Sequence, residues 1–194
     1  MRIAPYLPAA ALSLGLIMAV PSAGTAQEGA TPAPAAVTAD SADVASVDAI
    51  IAAVYDVISG PAGRKRDWDR FRSLYIEGAR LIPTGRNRQT GESGHGLLTV
   101  EDYISRAAPQ LEDGGFFEVE IARRTERYGS VVHVFSTYES RRNADDAEPF
   151  MRGINSFQLL YQKGRWWVVT IFWQPEYPDL PIPEMYLSTP EHHH

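Results

Sequence analysis

The period of the apolar pattern changes once along this chain, at Phe116, and that change restricts the fold more than any other feature. Before it, apolar residues recur at helical spacing, as in Val47, Ile51, Val54 and Ile58. After it they alternate. Phe117, Val119 and Ile121 alternate with Glu118 and Glu120, and further two-period runs cover Val131–Arg141, Phe150–Gln162 and Arg165–Trp173. Helices followed by consecutive strands, the last pair joined by the tight turn Lys163-Gly164, predict an α+β domain with helices on one face of an antiparallel sheet.

Three helices are expected. The first runs over about Val44–Ser59 with Ser46 as a possible N-cap, Tyr55 on its buried stripe and Gly60-Pro61 as its stop. The second starts at the cap Asp67, sets Trp68, Phe71 and Leu74 on one face and ends at Gly78, before a short strand Ala79–Pro83. Thr84–Gly96 reads as a long loop or loose hairpin. Thr99 and Asp102 open a third helix that ends near Leu111. On the last strand, Trp166, Val168 and Phe172 are expected on one face, with Trp167, Val169, Ile171 and Trp173 on the other. One face covers the helices. The other exposes a large apolar surface, which suits a homodimer through the sheet.

The N-terminus carries a processing signal. Arg2 precedes the apolar run Ala9–Val20, Pro21 breaks it, and Gly24 and Ala26 suit cleavage before Gln27. The run is too short for a stable membrane anchor. The division expected is a signal peptide over 1–26, a disordered Ala/Pro/Thr linker over 27–43, a domain over 44–178 and a tail over 179–194. Periplasmic or secreted location follows. The chain has no cysteine, which excludes disulfides, thiolate catalysis and cysteine-held zinc. A net charge of −6 makes nucleic acid a poor partner. No spacing suggests a metal site or a cofactor, and the three terminal histidines carry no functional information.

Three segments carry a resemblance: Asp67–Phe71 leading to Ala79–Pro83, Arg152–Leu159, and Gly164–Trp173. Together they resemble the nuclear transport factor 2-like superfamily, the cystatin-like cone shared by ketosteroid isomerases, scytalone dehydratase and SnoaL-type polyketide cyclases, and above all its uncharacterised exported members. The resemblance spans about Val44–Pro175 and implies a curved sheet around an apolar pocket. It places Tyr55 where the isomerases keep an oxyanion-binding tyrosine, Asn155 where they keep a protonated acid, and Pro83 near their base. Proline moves no proton, so the resemblance implies binding of an oxygen-bearing small molecule rather than isomerase chemistry. The pocket candidates are Tyr55, Trp68, His95, Asn155, Phe157 and Trp173. Two alternatives stand beside binding. One is an acid–base lyase, isomerase or cyclase, with Tyr55, His95 and Asp102 as candidates; the other is a non-catalytic dimeric interaction module. His133, in a strand, reads as a satisfied core or interface histidine.

Overall fold

A computed structural model describes residues 37–87 and 89–188. The expected signal peptide, its cleavage point, most of the linker and the terminal histidines lie outside the described residues.

Six strands form one curved sheet in the order β2-β1-β6-β5-β4-β3, with three α-helices against it. The strands are β1 (Tyr75–Arg86), β2 (Ser93–His95), β3 (Phe117–Tyr128), β4 (Val131–Arg141), β5 (Met151–Gln162) and β6 (Arg165–Pro175). The α+β class stands as expected, but the sheet is mixed: β1 runs parallel to β6. That pairing is open to β1 because α3 and four strands separate it from its partner in the chain, enough for a crossover connection.

Helix α1 (Val47–Ile58) starts where the Ser46 hydroxyl accepts the Ala49 N–H at 3.0 Å. Helix α2 (Trp68–Ser73) is capped by Asp67. It ends at Ser73, not at Gly78; Gly78 lies inside β1 with φ 79°, at an irregularity of the β1–β6 register between Tyr75 and Arg80. Helix α3 (Val100–Gly114) opens on the Thr99–Asp102 capping box and runs three residues past the expected end. Thr84–Gly96 is a hairpin, with Thr84 opposite His95. Lys163 (φ 54°) and Gly164 (φ 78°) form the left-handed pair of the β5–β6 turn.

Two bulges set which side chains enter the cone. In β3, Glu120 faces Tyr138 and Ala122 faces Thr137, so Ile121 is the extra residue. In β6, Val168 faces Leu159 and Thr170 faces Gln158, so Val169 is extra. The second bulge corrects the expected faces of β6. Ile171 joins Trp166 and Val168 in the core, while Phe172 turns outward and is 46% exposed. On β3 the carboxylate side of the alternation faces the core at its start. Glu118 is buried, and Val119 and Ile121 are exposed.

Both ends of the expected domain are longer. Asp43, placed in the linker by sequence, sits in a 3-10 turn and grips the Arg70 guanidinium through two oxygens at 2.7 and 2.9 Å. The segment from Tyr177 to Leu187, expected to be tail from 179, folds back across the outer face of the sheet. Thr137 donates to Tyr186 O at 2.6 Å, and the Phe135 and Tyr186 rings lie 5.6 Å apart. The face expected to join two copies therefore carries part of this chain.

Arg66 is buried between the helix ends. Its guanidinium donates to Ile58 O (2.9 Å), Gly60 O (2.6 Å), Arg64 O (2.6 Å) and Leu111 O (2.9 Å), satisfying carbonyls at the C-terminal ends of α1 and α3. Buried Glu112 accepts from Lys65, from the Arg66 N–H and from the Trp68 indole. These donors, Lys65 foremost, pull its carboxyl down to about 2.

Gly153 on β5 has no room for a side chain. A Cβ there would stand 2.5 Å from Gln174 O and 2.5 Å from the Tyr138 hydroxyl. Gly153→Ala is expected to cost at least the roughly 1–3 kcal/mol of an overpacked core, because a backbone carbonyl must also move. Urea denaturation checks this; an unchanged midpoint would mean that the β5–β6 contact yields freely.

Candidate functional site

The concave face of the sheet is apolar at one end and polar at the other. Along β4, Val132, Val134, Ser136, Tyr138 and Ser140 point inward and are all buried. Along β5, Gly153, Asn155, Phe157 and Leu159 do the same. The bulge in β3 adds Glu118 and Glu120 opposite Ser140 and Tyr138. Helix α1 supplies Tyr55 from across the cone.

These groups form one hydrogen-bonded network. Ser140 donates to one Glu118 oxygen at 2.8 Å. The Asn155 amide nitrogen reaches the other at 3.3 Å and the Tyr55 hydroxyl at 3.0 Å. The Tyr55 hydroxyl meets the Ser136 hydroxyl at 2.7 Å, and Ser136 donates to Glu120. Proton directions follow from the last contact. With the Ser136 proton on the Glu120 carboxylate, the Tyr55 proton goes to Ser136, and Tyr55 accepts from Asn155. Tyr55 thus has no proton left for a ligand, and both Asn155 amide protons are spent. The two residues expected to orient a ligand are bonded to each other.

Backbone contacts hold Glu118 in place. Its N–H donates to the Ser59 hydroxyl at 3.0 Å, and Ser59 donates to Tyr55 O at 2.7 Å. This ties the end of α1 to the start of β3. Among the described residues no cationic side chain pairs with Glu118. Burial raises its carboxyl to about 7, against the opposing pull of Ser140 and Asn155. Burial likewise raises Tyr55 well above the ordinary phenol value, with the Glu118 charge adding to it. The Tyr75 and Tyr138 hydroxyls are buried without a hydrogen-bond partner. Between α1 and β3 a groove of about 360 Å³ reaches Tyr55, Glu118 and Glu120.

The sequence candidates divide. Phe157 is fully buried with its ring edge-on to Tyr55 at 6.0 Å, and Trp173 lies beside Asn155 in the β5–β6 register, edge-on to Tyr103 at 6.2 Å. Trp68 stands apart, its indole bonded to Glu112 at 2.9 Å. His95 is exposed on the edge strand β2. The Asp102 carboxylate is occupied by its helix cap, accepting from the Thr99 N–H at 3.0 Å and the Thr99 hydroxyl at 2.7 Å. Pro83 lies on β1 opposite Trp173. His133 points to the outer face, with Nε2 3.0 Å from the Ser156 hydroxyl.

Sequence reasoning missed Glu118. Its alternation with Phe117, Val119 and Ile121 does not say which set is buried. The available signal was on β4, where the hydroxyls of Ser136 and Ser140 share the apolar face of Val132 and Val134 and call for a polar partner. Among the described residues, no group of three or more His, Asp or Glu is placed to hold a metal, and no helix is long and apolar enough to cross a membrane.

No protein-family model matches the chain, and no curated protein matches it. Solved structures do. A protein of unknown function with a cystatin-like fold from Nostoc punctiforme aligns at TM-score 0.51 and 12% identity, over 70% of this chain and 91% of that one. A nuclear transport factor 2-like protein of unknown function from Silicibacter pomeroyi aligns at TM-score 0.46 and 15% identity, over 67% and 92%. A similar protein from Shewanella baltica aligns at TM-score 0.42 and 12% identity, over 66% and 89%. The curved sheet with helices against it and the first of these likenesses together give the chain a cystatin-like fold.

Proposed function

We propose that this protein, exported as its N-terminal pattern suggests, binds a small and mostly apolar molecule carrying a carbonyl or hydroxyl, and that Glu118 shares a proton with that oxygen. The supporting observation is a buried carboxyl without a cationic partner among the described residues, beside a groove. Near neutral pH such a group is divided between a form that donates and a form that accepts. It meets a carbonyl in the first and a hydroxyl in the second. Tyr55, Ser136 and Asn155 act by holding Glu118 in place.

A second reading has Glu118 as a general acid–base of a lyase, isomerase or cyclase. The same carboxyl favours it, because proton transfer is most effective from a group whose pKa lies near the working pH.

The test starts with the protein recovered from the extracytoplasmic fraction. Its intact mass reports cleavage before Gln27, and native mass spectrometry reports a retained ligand. The released ligand is then titrated back between pH 6 and 8. Affinity should change across that range in the wild type and stay flat in Glu118→Gln. Tyr55→Phe removes the acceptor that holds Asn155 against Glu118 and should weaken binding indirectly, by about 1 kcal/mol, the scale of that one internal hydrogen bond. A pH response that survives Glu118→Gln sinks the assignment. Exchange of a ligand C–H for deuterium in heavy water, absent in Glu118→Gln, selects the catalytic reading.

A further inference from the structure

A second cavity lies on the opposite face of the sheet. The chain leaves β6 at Pro175 and crosses back over β5 and β4, and between this strap and the strands is a space of about 650 Å³. Ile154, Ser156, His133 and Phe172 form its sheet wall, and Leu180 and Ile182 its strap wall. That volume lies within the range of small-molecule sites, and a mostly apolar lining with few polar groups is their usual composition.

The strap is pinned at both ends and held off in the middle. At one end the Glu176 carboxylate accepts from Arg152 Nε at 2.8 Å and from the Ile182 N–H at 3.0 Å, while the Arg86 N–H donates to the Tyr177 hydroxyl at 3.1 Å. At the other, Tyr186 O takes the Thr137 proton and Met185 O takes Arg124. Pro178, Pro181 and Pro183 fix the backbone between them and remove donors that would otherwise seek the sheet. The strap residue Leu180 therefore does not close onto Phe172 of the sheet, and the two stay 44% and 46% exposed. Apolar surface left wet in a chamber with fixed walls is surface that an apolar ligand dries.

The geometry points to this chamber as a binding site for a neutral, elongated apolar molecule with one hydroxyl or carbonyl, its polar end on the His133–Ser156 pair. The charged groups at the rim argue for neutrality. Glu176 is paired with Arg152, and Arg86 with Asp179, so no ionised head is needed to balance them. The site is separate from Glu118 and does not rest on the cone reading.

The probe is 1-decanol, titrated into the full protein by calorimetry. Saturable binding at one site is expected. Ile154→Trp fills the chamber from the sheet and should abolish it; Leu180→Trp fills it from the strap and serves if the first variant folds poorly. His133→Phe should weaken binding about five- to tenfold, the loss of one hydrogen bond. Glu118→Gln should leave it unchanged. Absence of saturation, unchanged binding in both tryptophan variants, or loss in Glu118→Gln alone overturns the assignment. So does light scattering showing a dimer at the titration concentration that 1-decanol neither dissociates nor binds.

Discussion

Glu118→Gln is expected to stabilise the fold by about 3 kcal/mol at pH 8 and by less than about 1 kcal/mol at pH 5. The wild-type carboxyl titrates near 7 in the folded protein, against an ordinary 4.5. A carboxyl raised in this way contributes fully below its unfolded pKa and loses that contribution as pH rises through the folded one. At pH 8 the folded protein must hold a buried charge that the unfolded chain keeps in water. Glutamine has the same shape, accepts from Asn155 and meets the Ser140 hydroxyl, yet never ionises. Urea denaturation at pH 5, 6, 7 and 8 reads the difference directly. Equal gains at pH 5 and 8 would show that the carboxyl ionises in place at no cost. The expected gain also bears on function. A residue whose replacement stabilises the protein is kept at a cost, and such costs concentrate at working sites.

Arg66→Met is expected to cost roughly 3 kcal/mol or more, because several buried carbonyls lose a donor at about 1–3 kcal/mol each. Methionine keeps most of the side chain's volume and its apolar stem. It leaves the carbonyls of Ile58, Gly60 and Leu111 without the donor that now reaches all three. The loss should appear in the denaturation midpoint with little change in slope, since the same surface is exposed on unfolding. A loss below about 1 kcal/mol would mean that water replaces the guanidinium at those carbonyls.

Much of the fold was legible because its signals are local. Ser46, Asp67, Thr99 and Asp102 announce helix starts by side-chain chemistry, and Lys163-Gly164 announces a turn by backbone conformation. The parallel pairing of β1 with β6 was not legible, since nothing local to Ala79–Pro83 specifies a partner ninety residues away. Arg66 carries no local signal of its role, because its carbonyl partners come from the end of α1 and the turn after it on one side and from α3 on the other. Tyr55 and Asn155 were found by resemblance and do meet, but their bond to each other changes what they offer a ligand. Glu118 was hidden by a register effect. Alternation separates Glu118 from Phe117, Val119 and Ile121 without saying which set is buried, and on this edge strand the glutamate's side faces in.

The bulge at Ile121 carries a consequence for how this cone changes over time. The side of the sheet on which each β3 residue falls is set by counting from that one unpaired position. Deleting a single residue there would bring the two halves of the strand into one phase. Either Glu118 and Glu120 would swing out, leaving the hydroxyls of Ser136 and Ser140 facing apolar side chains, or Arg123 would leave the concave side. Substitution changes the character of this interior one group at a time, whereas a one-codon deletion would turn half a strand inside out.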